Sequence, residues 1–156
     1  MNPGTKLALL GAAVFVLLQL GAGAVRLGAA EKARAIPRGI DEPAFLRAIA
    51  EKETGNDPRA IGRVYGERSK YQFTRDTWAM HTKRPFVDAT NDPKCADAVA
   101  MKHYAWLVQQ LGVLHIRVSV RTMAAAWHFG QQFAKICQES EYARAVENLY
   151  GEEVRK

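Results

Sequence analysis

With 156 residues, 48% of them hydrophobic, the chain has apolar material for one domain around a single core rather than for several. Its formal net charge is +6, but the basic residues are scattered among acidic ones with no dense Lys/Arg block, which argues against nucleic acid as a partner. Two cysteines with no Cys-x-x-Cys pair, and histidines without ligand spacing, leave no redox motif or zinc site, so neither a cofactor nor a metal is expected.

Residues 1–30 stand apart from that core. Lys6 precedes Leu7–Val25, an apolar run interrupted by Gln19 and small residues. It reads as a signal peptide, with Ala22-Gly23-Ala24 or Gly28-Ala29-Ala30 as the cleavage site. It is also just long enough to span a bilayer, so an uncleaved membrane anchor is the other reading. Either one carries the rest of the chain out of the cytoplasm, into the periplasm or cell envelope. Residues 31–40, with Pro37 and Gly39, form a polar linker, and residues 41–156 the domain.

The first element of the domain is a helix over Asp41–Glu53, capped by Asp41 with Pro43 tolerated in its first turn. Phe45, Ile49 and Glu53 follow one another at four-residue spacing and share a face, while Arg47 and Glu51 share another and can pair. Gly55 supplies the left-handed residue that closes such a helix. Glu53 therefore ends an apolar stripe. A carboxylate beside apolar surface loses hydration, which favours its neutral form, and this is how a proton donor near neutral pH is made. Glu51 faces water.

Asp57–Gln72 is rich in glycine and charge without periodicity, and a small hairpin fits the stretch from residue 62 to 73. Phe73–Met80 reads as a short helix and His81–Asn91 as a connector. Asp92-Pro93 then opens the clearest helix, running to Leu111 and ending at Gly112, with Ala96, Ala100, Tyr104, Leu107 and Leu111 on one side. Met101, Tyr104 and Trp106 on it read as core. After a second connector, Ser119 caps a helix bearing Val120, Met123, Ala124 and Trp127. Gln131–Gln138 and Glu139–Tyr150 complete an all-α pattern that Gly151 terminates.

Three strings in this order carry a resemblance: Glu53-Thr54-Gly55-Asn56, then Gly66 through Gln72, then Ala124-Ala125-Ala126-Trp127-His128-Phe129-Gly130. Together they resemble the lysozyme-like catalytic domain of lytic transglycosylases, whose motifs are Glu-Ser-Gly-x-Asn, Gly-x-x-Gly-Leu-Met-Gln and Ala-Tyr-Asn-x-Gly. Thr54 replaces the serine of the first. The second keeps Gly66 and Gln72. In the third, Trp127 stands for the tyrosine and His128 for the asparagine.

The resemblance implies a mainly helical, lysozyme-like fold and cleavage of the MurNAc-GlcNAc bond of peptidoglycan strands, leaving 1,6-anhydro ends. Glu53 would act first as acid and then as base, Thr54 would seat the loop, and Gln72 would line the cleft. The family's tyrosine brings a hydroxyl close to the catalytic acid. Trp127 has an indole donor and no acceptor, so Tyr71 is the candidate to supply that hydroxyl from across the cleft. Trp127 is either a sugar-stacking platform or core, and His128 keeps hydrogen-bonding capacity.

Two other functions compete. A module without turnover would bind peptidoglycan or scaffold envelope machinery. A lysozyme-type hydrolase needs a second carboxylate or a positioned water, and of Asp57, Glu67 and Asp76 none sits in a motif that nominates it. Cys95 and Cys137 are a possible disulfide in an exported domain, or else two separate thiols.

Overall fold

A computed structural model describes residues 39–156. The leader, its Leu7–Val25 run and most of the linker lie outside the described residues. The described part is all-α: α1 (Glu42–Thr54), α2 (Arg75–His81), α3 (Asp88–Asn91), α4 (Pro93–Val113), α5 (Val120–Phe129), α6 (Ala134–Cys137) and α7 (Glu141–Glu153), with a single 3-10 turn at Gln131–Phe133. Among these residues no helix is long and apolar enough to cross a membrane.

Local chemistry sets most helix starts. Asp41 accepts from the Ala44 amide at 2.7 Å, Thr74 caps α2, Asp92 caps α4 ahead of Pro93, and Ser140 caps α7. Ser119 and Thr122 form a reciprocal capping box at α5. At the end of α1, Gly55 adopts φ 63°, and the amides of Gly55 and Asn56 return to the carbonyls of Glu51 and Ala50. That left-handed turn costs glycine little and would strain a side chain with a Cβ.

Two glycines behave differently from expectation. α4 passes through Gly112 to Val113, and the left-handed residue is His115 at φ 54°, with the Ile116 amide bonded to the Leu111 carbonyl. α7 likewise passes through Gly151. A glycine is tolerated inside a helix at a cost of about 1 kcal/mol. The expected 81–91 connector also contains α3, and Phe73 lies outside α2.

The core gathers Phe45 and Ile49 of α1, Trp78 of α2, Val99, Tyr104, Leu107 and Leu111 of α4, Met123 of α5 and Val146 of α7, all essentially inaccessible. Each such large apolar side chain contributes roughly 1.5–3 kcal/mol of transfer free energy. α4 runs through this core as its stripe implies. Met101, expected there, is exposed instead: it falls beyond the edge of the buried stripe that Ala96, Ala100, Leu107 and Leu111 share. Arg47 does not pair with Glu51; its Nε lies 2.6 Å from Glu153 of α7, which packs along α1.

Residues 61–73 form no strand. They are tied by two isolated antiparallel bridges, Ile61 to Arg68 and Arg68 to Phe73. Cys95 and Cys137 are both half-buried free thiols, so the possible disulfide is not formed in the structure. Cys95 packs against the core from the first turn of α4, and Cys137 ends α6.

Candidate active site

The Phe45–Ile49–Glu53 face does what its spacing dictates: the first two side chains are buried in the core, and the third emerges at its edge with 14% of its side chain exposed. There it borders a cleft of about 560 Å³. One wall of the cleft is the irregular 62–73 segment. The other is the C-terminal end of α5, carrying Trp127 and His128. Gln72, Tyr71, Phe73 and the buried His103 of α4 also line it.

The partner of Glu53 was not foreseen. Tyr142, in the first turn of α7, donates its hydroxyl to Glu53 Oε1 at 2.6 Å. Its ring lies nearly parallel to that of His128, with centroids 4.0 Å apart and planes 17° off. His128 Nδ1 stands 3.6 Å from the same carboxylate oxygen, an ion pair only when the imidazole is protonated. Burial, then the Glu53 charge and hydrogen bond, hold the Tyr142 phenol far above its ordinary pKa of 10.0. Tyr142 is therefore a fixed donor. A hydrogen bond to a carboxylate contributes roughly 1.5–3 kcal/mol when the carboxylate is charged, and it fixes the rotamer that Glu53 presents to the cleft.

Tyr71 does not play the part assigned to it. Its ring borders the cleft, but its hydroxyl donates to Asp97 of α4 at 2.9 Å, and Lys70 pairs with the same carboxylate at 3.0 Å. Burial and then Asp97 push its pKa up. The hydroxyl is spent on anchoring the segment to α4, not on the acid.

Gln72 lines the cleft with φ 50°, its Nε2 donating to the Ser69 carbonyl at 3.0 Å. This leaves its amide oxygen for other donors. Thr54 does not border the cleft. Its hydroxyl accepts from the Asp57 amide at 3.0 Å and lies 3.3 Å from the Lys70 carbonyl, so it joins the end of α1 to the 62–73 wall.

Trp127 is half-buried in an aromatic group, its centroid 5.9 Å from Phe73, 6.2 Å from Tyr71 and 4.8 Å from His103. It is part of the core and part of the cleft floor at once. Beneath it His103 meets His81 of α2 at 3.0 Å and stacks on Trp106. Burial, with His81 adding to it, lowers the His103 pKa to about 3. Burial, with Lys102 adding to it, also lowers that of His81. Both rings are neutral near neutral pH, so one nitrogen donates and the other accepts. Among the described residues no group of three or more His, Cys, Asp or Glu is placed to hold a metal ion.

The arrangement offers one carboxylate with a locked rotamer, an amide oxygen on the facing segment and aromatic surface between them. Such a set can give a proton to a departing oxygen and receive it back. Two curated proteins of Staphylococcus saprophyticus subsp. saprophyticus resemble the chain in part: Probable transglycosylase SceD 3 and Probable transglycosylase SceD 1. Each is 34% identical over 68 residues, which is 42% of this chain and 29% of the relative. The similarity thus spans less than a third of either relative and is partial for this chain too. No protein-family profile matches the sequence. No solved structure matches it either.

Proposed function

We propose that the domain is a lysozyme-like peptidoglycan lytic transglycosylase with Glu53 as its acid and base. Glu53 protonates the bridging oxygen of the MurNAc-GlcNAc bond. It then takes the proton of the muramyl C6 hydroxyl as that oxygen closes on C1 to give a 1,6-anhydro end. The observation that carries this reading is the setting of Glu53: the end of a buried stripe, one oxygen held by Tyr142, the cleft in front of it. The order of the three motifs and the partial likeness to two probable transglycosylases support it.

Gln72 accepts from the sugar's acetamido or hydroxyl groups, and Trp127 and His128 form the opposite side of the sugar site. Thr54 and Tyr71 act as positioning residues. Export through residues 1–30, cleaved or retained as an anchor by residues 7–25, delivers the domain to its substrate in the envelope.

The test is digestion of purified peptidoglycan, with the products separated and weighed. Anhydromuropeptides support the proposal. Binding without release of fragments favours a non-catalytic module instead.

A further inference from the structure

A second carboxylate borders the same cleft. Glu67 lies on the 62–73 wall, half-buried, and the backbone holds it in place from both sides. The Gly62 amide donates to the Glu67 carbonyl at 2.8 Å, and the amides and carbonyls of Arg68 and Phe73 exchange a pair of bonds at 2.9 Å. Gly62 also makes room for the side chain. A Cβ at that position would overlap the Glu67 carboxylate and come within 2.9 Å of Gln72 Oε1.

Two acceptor oxygens, Glu67 Oε2 and Gln72 Oε1, thus lie side by side against Gly62 on the cleft wall. Among the described residues neither receives a hydrogen bond from the protein, and Glu67 pairs with no cation. A water offers two hydrogens to such a pair of acceptors.

We infer that Glu67 is a water-activating base, giving this cleft a hydrolytic outcome beside the anhydro one. The inference rests on the proposed glycan cleavage by Glu53. Glu53 donates its proton to the departing O4, and the C1–O4 bond breaks. A water held by Glu67 and Gln72 forms the new bond to C1, and Glu67 takes its proton. The products are a free 4-hydroxyl and a reducing end, and exchange with solvent restores a protonated Glu53 and an ionised Glu67. No further co-reactant is needed. The C6 hydroxyl and the water compete for C1, and Glu67 helps only the water. In inverting hydrolases a second carboxylate serves as the base for water in this way.

Full-length protein, its Glu67→Gln variant and its Gly62→Ala variant are each incubated with purified peptidoglycan. The ends are counted by mass, a reducing end being heavier than an anhydro end by one water. The parent is expected to give both kinds. Glutamine keeps the shape and loses the base, so the ratio of reducing to anhydro ends falls by roughly a hundredfold in Glu67→Gln, at the low side of what general-base catalysis contributes. Gly62→Ala displaces the two acceptors without removing them, and the ratio falls there too. A parent that yields anhydro ends alone, or a Glu67→Gln protein with the parent's ratio, overturns the role of Glu67 and leaves the Glu53 reading standing. A parent that cuts nothing overturns both.

Discussion

Tyr142 holds Glu53 from 89 residues further along the chain, its phenolic oxygen 2.6 Å from the carboxylate. The contact joins the last turn of α1 to the first turn of α7, two helices that pack along each other. It supplies the hydroxyl that Trp127 lacks. The same ring supports His128, so one residue positions two groups on the cleft.

Removing that hydroxyl tests its importance. Tyr142→Phe keeps the ring stacked on His128 and loses the bond to Glu53. If the bond contributes about 1.5–3 kcal/mol to the reacting state, cleavage falls roughly tenfold to a hundredfold. The same bond ties α1 to α7, so thermal stability falls as well, by up to about 1.5–3 kcal/mol. Rates of fragment release and a melting curve read the two effects separately.

Tyr71→Phe is expected to behave differently. It removes a hydroxyl bound to Asp97, not to Glu53. Asp97 keeps Lys70, so the stability loss is on the order of 1 kcal/mol. The rate of fragment release should fall by much less than in Tyr142→Phe. Equal losses in the two variants would mean that both hydroxyls act on the acid.

The contrast shows where the sequence was legible. The helix at Glu42–Thr54, its cap at Asp41, its left-handed stop at Gly55 and the inward aim of Glu53 follow from local spacing. The all-α pattern follows from similar local signals. Which tyrosine reaches Glu53 depends on how α7 docks on α1, and nothing near Glu53 records it. The one available signal is that Tyr142, Val146 and Tyr150 share a stripe on the last helix. This says that Tyr142 packs inward without saying against what. Gly112 and Gly151 lie inside their helices because glycine is tolerated there at a small cost, so glycine alone does not mark a helix end. Glu67 lies in a segment with no periodicity, so its aim into the cleft was set by tertiary bridges the sequence does not display.

Tyr104 gives a prediction of stability alone. Its hydroxyl is buried with no hydrogen-bond partner among the described residues, and burial pushes its pKa up to about 12. An unsatisfied buried hydroxyl costs about 1–3 kcal/mol. Tyr104→Phe removes that cost and keeps the ring against Phe45. Chemical denaturation should show the variant at least as stable as the parent, by up to about 1 kcal/mol more.

The buried histidines set the response to acid. Burial holds His103 at about 3 against an ordinary 6.5, and His81 is shifted the same way. Between those values the unfolded chain binds a proton that folded His103 refuses. Stability is therefore full above pH 6.5 and falls as pH drops toward about 3. Replacing His103 with glutamine should flatten that fall while lowering stability at neutral pH. Urea midpoints at a series of pH values read both.

The central claim is that Glu53 gives the proton to the oxygen that departs and takes the C6 hydroxyl proton when the anhydro end forms. The most direct measurement is release of soluble muropeptides from purified peptidoglycan by the parent, Glu53→Gln and Glu51→Gln, with a sedimentation assay for binding alongside. Glu53→Gln should release nothing above background while folding and binding peptidoglycan nearly as the parent does. Glu51→Gln, exposed and one position off the face, should release fragments at close to the parental rate. A Glu53→Gln protein that still cleaves at the parental rate would contradict the account.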